Sequence, residues 1–520
     1  MTSLDPNRAT PPRPANDAAE FRSLVGYWPA AAALALATIV RSVSWLNCDV
    51  SWNLTLGEKV LAGARPYIDF SDPNPPASFL IYVPAILIGR EFGVSAEFVV
   101  TALVFAATFL SLWLVERTLT ENEPLTRRDR PIGFALACVL LLVLPGDAFA
   151  QRDHIALLAI LPMLAVYSQR AVGRSPRSIL TGLAGIGGGI AIAIKPYFAL
   201  ALLVPLPYVV WRWRNHKQKI ATFLTSPEQA MTLLVVLAYG ALLVRCFPDY
   251  LNHGLPVALA VYSPLNQTFL LMLANPSVIL VAMAVIVGLG LQNGRIPSPL
   301  IIVCSLAAFG FAFALIAQGK GWPYHGYPAV ALAMMALGLL LVRRFVGFSG
   351  NTGSTKPPVG DLVFGIGLFA CIYAVASVNL LNEPGRGALV REVARLAPTR
   401  PKIVTLAGGP EVAFPLTRKL HGTPVGRAPF QWISYSADKL LGATQLGPAA
   451  RQKLEQYELI DRKELADNIR GRHPDAVLVE GDGEKSWAFS HPEIAAALGA
   501  YREVETVDGV EIWLPRKSAR

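Results

Sequence analysis

Three clusters of ionisable and aromatic side chains interrupt an otherwise apolar chain. Asp49, Asp69 and Asp72 follow the first apolar run. Gln151-Arg152-Asp153-His154 comes next, with Asp147 just upstream and Lys195-Pro196-Tyr197 downstream. Last is the run Gly319-Lys320-Gly321-Trp322-Pro323-Tyr324-His325. A carboxylate such as Asp49 can take the proton from a hydroxyl as it attacks an electrophilic carbon. Arginine, lysine or histidine beside aromatic platforms is what a sugar phosphate on a lipid requires. Carboxylates held at a bilayer surface suit a substrate that is half lipid and half water-soluble.

Each cluster also has a plainer reading. Asp49 could cap a helix beginning near Val50. Arg152 and Asp153 could neutralise one another. Lys195 and Lys320 could snorkel from helix ends, and Trp322 and Tyr324 could be belt residues. The histidines lack paired zinc spacing, so no metal site is assigned, and only loop carboxylates remain for a divalent cation. No cofactor is expected.

Positioning these groups falls to membrane helices. Of 520 residues, 53% are hydrophobic and 16% charged, with a mean hydropathy of +0.43. No soluble core absorbs that much apolar surface. The net charge of +10 does not indicate nucleic acid, because the arginines and lysines cluster between apolar spans. Cys48, Cys138, Cys246, Cys304 and Cys371 show no Cys-x-x-Cys spacing and read as inert.

The polar segment 1–23 carries Arg8, Arg13 and Arg22 and reads as a cytoplasmic tail before an uncleaved first helix. About eleven spans follow: 24–46, 96–116, 131–149, 154–168, 178–194, 197–211, 229–246, 268–291, 298–317, 326–342 and 361–381. The apolar stretch 78–89 is too short to cross. Were it to cross, Arg117, Arg127, Arg128 and Arg130 would face outward, so it stays in the first outer loop, 47–95. In that loop Trp52, Leu56 and Val60 mark one face of an amphipathic, interfacial helix stopped at Gly63. This topology places all three polar clusters on the outer side. A Gly/Ser/Thr/Pro linker runs from Gly347 to Gly360.

From 382 to 520 the composition is that of a small soluble α/β domain on the outer face. Helices are expected over 386–397 and 448–470, and strands over Lys402 to Leu406 and Asp475 to Val479. A hairpin over Tyr501 to Leu514 would turn at Asp508-Gly509. Gly408-Gly409-Pro410 after the first strand lacks the glycine spacing of a nucleotide-binding turn.

Taken together, Asp49 after the first span, Gly63-x-x-Pro66-Tyr67-x-Asp69-Phe70, Asn74-Pro75-Pro76, a second acidic site after the third span and an outer C-terminal domain resemble the GT-C-type membrane glycosyltransferases. The similarity is to branches such as the protein mannosyltransferases and the aminoarabinose transferases of lipid A, and it spans roughly 24–381. It implies that Asp49 is the catalytic base and that Asp153, or Asp147 in its place, is the second acidic residue. Lys195, Arg152 and Lys320 are its candidates for the donor phosphate. Unlike many relatives, Asp49 is followed by Val50 and Ser51 rather than by a second carboxylate, which removes a metal-binding pair.

The resulting expectation is an inverting glycosyltransferase of a bacterial inner membrane. It would move a hexose or pentose from a polyprenyl-phosphate donor to an acceptor hydroxyl at the outer face. Asp69, Asp72, Asp147, Arg152, His154, Lys195, Tyr197, Lys320, Trp322, Tyr324 and His325 would bind substrate. A transporter or flippase, or a polymerase or ligase of surface glycans, is the alternative. Ionisable residues at span ends rather than mid-membrane weigh against transport.

Overall fold

A computed structural model describes residues 27–119, 130–292, 297–349, 359–381, 386–443 and 446–516. The tail 1–23, Arg127, Arg128 and linker residues 350–358 lie outside the described residues.

Every expected apolar stretch is helical over most of its length. The helices are α1 (Trp28–Val43), α2 (Cys48–Leu61), α3 (Ala96–Thr118), α4 (Arg130–Cys138), α5 (Arg152–Arg170), α6 (Ser178–Ile194), α7 (Leu206–Asn215), α8 (Pro227–Cys246), α9 (Pro276–Leu291), α10 (Pro299–Gln318), α11 (Pro323–Ser349) and α12 (Val359–Leu380). Among the described residues, five helices are long and apolar enough to cross a membrane, or six if α1 and α2, bent by 70° at their junction, form one broken span. The sequence reading of about eleven spans exceeds this because several stretches are short or interrupted. α4 passes into a π-helical turn over Val139–Val143, and the stretch before α7 breaks into short pieces after Pro196 and Pro205. The stretch 78–89 forms two short helices, Ala77–Leu80 and Val83–Phe92, the second closed by Gly93 in the left-handed conformation.

α5 and α11 form the buried centre of the bundle. α6 lies against α5 and α8 through glycines. A Cβ on Gly185 would come within 2.3 Å of the Glu228 carbonyl oxygen, and one on Gly187 within 2.2 Å of the Ala159 carbonyl oxygen. Small residues at such contacts let backbones approach where lipid offers no hydrophobic driving force. At the same seam Arg170 donates to both carboxylate oxygens of the buried Glu228, at 2.8 and 3.1 Å.

The C-terminal domain holds a five-stranded sheet in the order β2-β1-β3-β5-β4, with β1 (Lys402–Leu406), β2 (Thr423–Pro424), β3 (Ala476–Glu480), β4 (Tyr501–Val507) and β5 (Val510–Pro515). β2, β1 and β3 are parallel, whereas β5 and β4 are antiparallel. The hairpin turns at Asp508 and Gly509, with φ of 51° and 74°, as a two-residue turn with left-handed backbone requires. Helices α13 (Gly387–Leu396), α14 (Trp432–Ala443) and α15 (Pro448–Arg472) pack around it.

α2 differs from the expected interfacial helix. Cys48 and residues 50 to 57 are buried on every side. Val50 and Leu54 join the bundle core, while Cys48, Trp52 and Leu56 pack with Phe70, Phe79 and the C-terminal domain's Ala413 and Phe414. Arg418 locks this seam, donating to Glu58 at 2.8 and 2.9 Å, to Glu97 at 2.5 Å and to the Thr55 hydroxyl at 3.2 Å.

Two stability predictions follow from these seams. Gly185→Ala forces a methyl against backbone and should lower stability by about 1–3 kcal/mol, read as a lower unfolding temperature in detergent. Arg418→Ala should cost about 1–3 kcal/mol, since its carboxylate partners are a third exposed. Limited proteolysis of Arg418→Ala should release the C-terminal domain sooner than in the wild type.

Candidate active site

Asp49 is not a helix cap. Asn47 caps α2, its side-chain oxygen accepting from the Asp49 backbone N–H at 2.9 Å. The Asp49 carboxylate is thereby left for other partners. Its Oδ2 accepts from Arg152 Nη2 at 3.2 Å and from Gln151 Nε2 at 3.5 Å. Oδ1 has no hydrogen-bond partner among the described residues. Gln151 also donates to the Asn47 side chain, tying the start of α5 to the start of α2.

Arg152 is only 3% exposed, yet its Nε and Nη1 have no hydrogen-bond partner among the described residues. A buried guanidinium with unused donors is costly unless an anion completes it. Asp72 lies nearby and is fully engaged. Trp52 Nε1 donates to its Oδ2 at 2.9 Å, while the Asn74 N–H and side-chain amide donate to Oδ1 at 2.8 and 2.9 Å. Burial pushes the Asp72 carboxyl up, opposed first by Arg152 and then by these bonds. The Tyr67 hydroxyl donates to the Asn74 carbonyl at 2.7 Å, which fixes the Asn74-Pro75-Pro76 turn.

Asp49, Trp52, Asp72, Arg152, Trp322 and Tyr324 line a cavity of about 470 Å³. Its other side comes from the C-terminal domain, through Gly408 to Glu411, Phe430, Trp432 and Glu480, with Tyr262 at the flank. Sequence reasoning missed this half of the wall. The only signal for it was the glycine turn after β1. Burial pushes the Glu411 carboxyl up, and Asp49 across the cavity adds to the rise.

The other candidates sit around this cavity or away from it. Asp153 is fully buried, its Oδ2 accepting from Lys195 Nζ at 2.8 Å, and Lys195 also donates to Gln318 at 3.1 Å. The pair lies behind the cavity wall, with the ammonium 5.7 Å from the Tyr324 ring centre. Lys320 donates to the Tyr262 and Leu265 carbonyls and lies 3.9 Å from the Tyr262 ring centre. Burial lowers its pKa to about 8. His325 is buried against Trp322 and Tyr324.

Asp69, Asp147, His154 and Tyr197 do not line the cavity. Asp69 is exposed and accepts from the Arg65 backbone N–H at 2.7 Å, closing its own turn. Asp147 faces Arg41 electrostatically. His154 accepts from the Ala150 N–H at 3.1 Å, its ring between Phe149 and Tyr327. Tyr197 is 46% exposed. Among the described residues no three His, Cys, Asp or Glu side chains converge on one point. The group beside the Asp49 carboxylate is the Arg152 guanidinium.

No protein-family model and no curated protein sequence matches the chain. In structure it is similar to ArnT from Cupriavidus metallidurans bound to undecaprenyl phosphate, at 12% identity and a TM-score of 0.53 over 94% of this chain and 98% of that one. The apo form of the same protein aligns at 12% identity and a TM-score of 0.51, over 96% and 98%. A fainter likeness is to the arabinofuranosyltransferase AftD from Mycobacteria, at 14% identity and a TM-score of 0.38, over 95% of this chain and 40% of that one. The chain has the GT-C-type fold that its first-loop motifs pointed to.

Proposed function

We propose that the chain transfers one sugar from a polyprenyl-phosphate donor to an acceptor hydroxyl, with inversion, at the outer face of a bacterial inner membrane. In this reading the N-terminus is cytoplasmic and the C-terminal domain periplasmic. The observation that carries the proposal is the buried Arg152, with two unused donor nitrogens, paired to Asp49 in a cavity walled by aromatic rings. The likeness to a protein crystallised with undecaprenyl phosphate supports the lipid-phosphate half of the assignment.

Asp49 takes the proton from the acceptor hydroxyl as that oxygen attacks the anomeric carbon. The bond from that carbon to the phosphate oxygen breaks on the opposite face, and the electron pair leaves with the polyprenyl phosphate. Arg152 donates to the phosphate through the nitrogens that Asp49 does not occupy. Once protonated, Asp49 no longer draws on the Arg152 charge, which then acts wholly on the departing phosphate. Lys195 and Asp153 brace the wall behind Tyr324, and Lys320 holds Tyr262 at the flank. Trp52 and Asn74 keep Asp72 in place beside the reacting groups.

Asp49→Asn preserves shape and should slow transfer from a lipid-linked sugar by about 10²–10⁴-fold with normal membrane insertion. Wild-type rates in that variant would sink the assignment. Arg152→Lys keeps a charge but not the planar fork. It should weaken binding of undecaprenyl phosphate by roughly tenfold or more, measured by thermophoresis on the purified protein.

A further inference from the structure

The three parallel strands of the C-terminal sheet run in one direction, and all three end at the catalytic cavity. Beyond β1 lie Gly408, Gly409, Pro410 and Glu411, beyond β2 lie Pro429, Phe430 and Trp432, and β3 ends in Glu480 itself. In open α/β sheets the loops at the carboxyl ends of parallel strands are where ligands bind. Here that edge is turned toward Asp49 and Arg152 rather than toward solvent.

The groups at this edge divide into fixed and available. Glu480 is held in place, one oxygen accepting from Arg386 at 2.6 Å and the other from the Gly408 N–H at 3.2 Å. The Glu411 side chain folds over Gly409, where a Cβ would sit 2.1 Å from its Oε2. Trp432 is 5% exposed, lines the cavity, and its indole N–H has no partner among the described residues. A buried indole N–H ordinarily finds an acceptor. A carboxylate, an unused N–H and the aromatic faces of Phe430 and Trp432 match a ring that bears hydroxyls on its rim and C–H bonds on its faces.

We propose that the strand-end loops of the C-terminal domain form the subsite for the transferred sugar. Glu411 accepts from its hydroxyls, and the Trp432 N–H donates to one of its oxygens. The inference rests on the reading of this cavity as the site of a polyprenyl-phosphate sugar donor. It divides recognition between the two parts of the chain, with the membrane part holding the phosphate and the C-terminal domain holding the sugar.

The test compares binding of undecaprenyl phosphate with that of undecaprenyl phosphate carrying mannose, glucose or arabinose, using the full chain in nanodiscs. The wild type should bind at least one sugar-bearing lipid more tightly than the bare phosphate. Glu411→Gln and Trp432→Phe should each reduce that gain by about three- to tenfold while leaving affinity for undecaprenyl phosphate unchanged. Unchanged phosphate affinity also shows that the variants are folded. A wild type that binds undecaprenyl phosphate without a gain for any of the sugars, or variants that keep the gain, would overturn the inference. A wild type that binds none of the four lipids would instead overturn the donor reading itself.

Discussion

A guanidinium taken out of water at the start of a buried helix sets the terms for the rest of this protein. Arg152 opens α5, a helix buried along almost its whole length, and desolvating such a charge costs several kcal/mol unless it is paired. Asp49 supplies the pairing, but only because Asn47 caps α2 and leaves the Asp49 carboxylate unengaged by its own helix. Gln151 ties the two helix starts together, and Asp72, held by Trp52 and Asn74, adds a second negative charge close by. The pairing is incomplete, with two nitrogens unused among the described residues.

The C-terminal domain depends on the same arrangement from the other side. α2 is covered by the bundle on one face and by Ala413 and Phe414 on another, so neither part buries it alone. Arg427 donates to the Tyr67 carbonyl at 3.1 Å, and its own carbonyl accepts from the Ser71 N–H at 2.8 Å, so the first loop and the domain share backbone bonds. With Arg418 reaching Glu58 and Glu97, the domain is fastened on both sides of the cavity that it roofs.

Much of this was legible in the residues. Apolar runs located the helices, Asp508-Gly509 located the hairpin, and the cluster positions of Asp49, Asp72, Arg152, Trp322 and Tyr324 converge on one cavity. What escaped is non-local. The repeat of Trp52, Leu56 and Val60 suggested one apolar face for α2, whereas Val50 and Leu54 serve a second partner. Periodicity within one helix cannot reveal two partners. The Lys195–Asp153 bond joins residues 42 positions apart. β2 is two residues long, below any pattern a strand could leave, so the loop that brings Phe430 and Trp432 to the cavity had no marker.

The short first helix has one more effect. α1 has 16 residues, which at 1.5 Å per residue is about 24 Å, less than a bilayer's hydrocarbon thickness of about 30 Å. The 70° bend between α1 and α2 therefore follows an apolar run too short to cross by itself. Asp49, the second residue of α2, stands directly after that bend, where an apolar run meets a buried helix. In the proposed function, that bend sets the apolar run that would meet a lipid tail next to the carboxylate that would meet the acceptor hydroxyl.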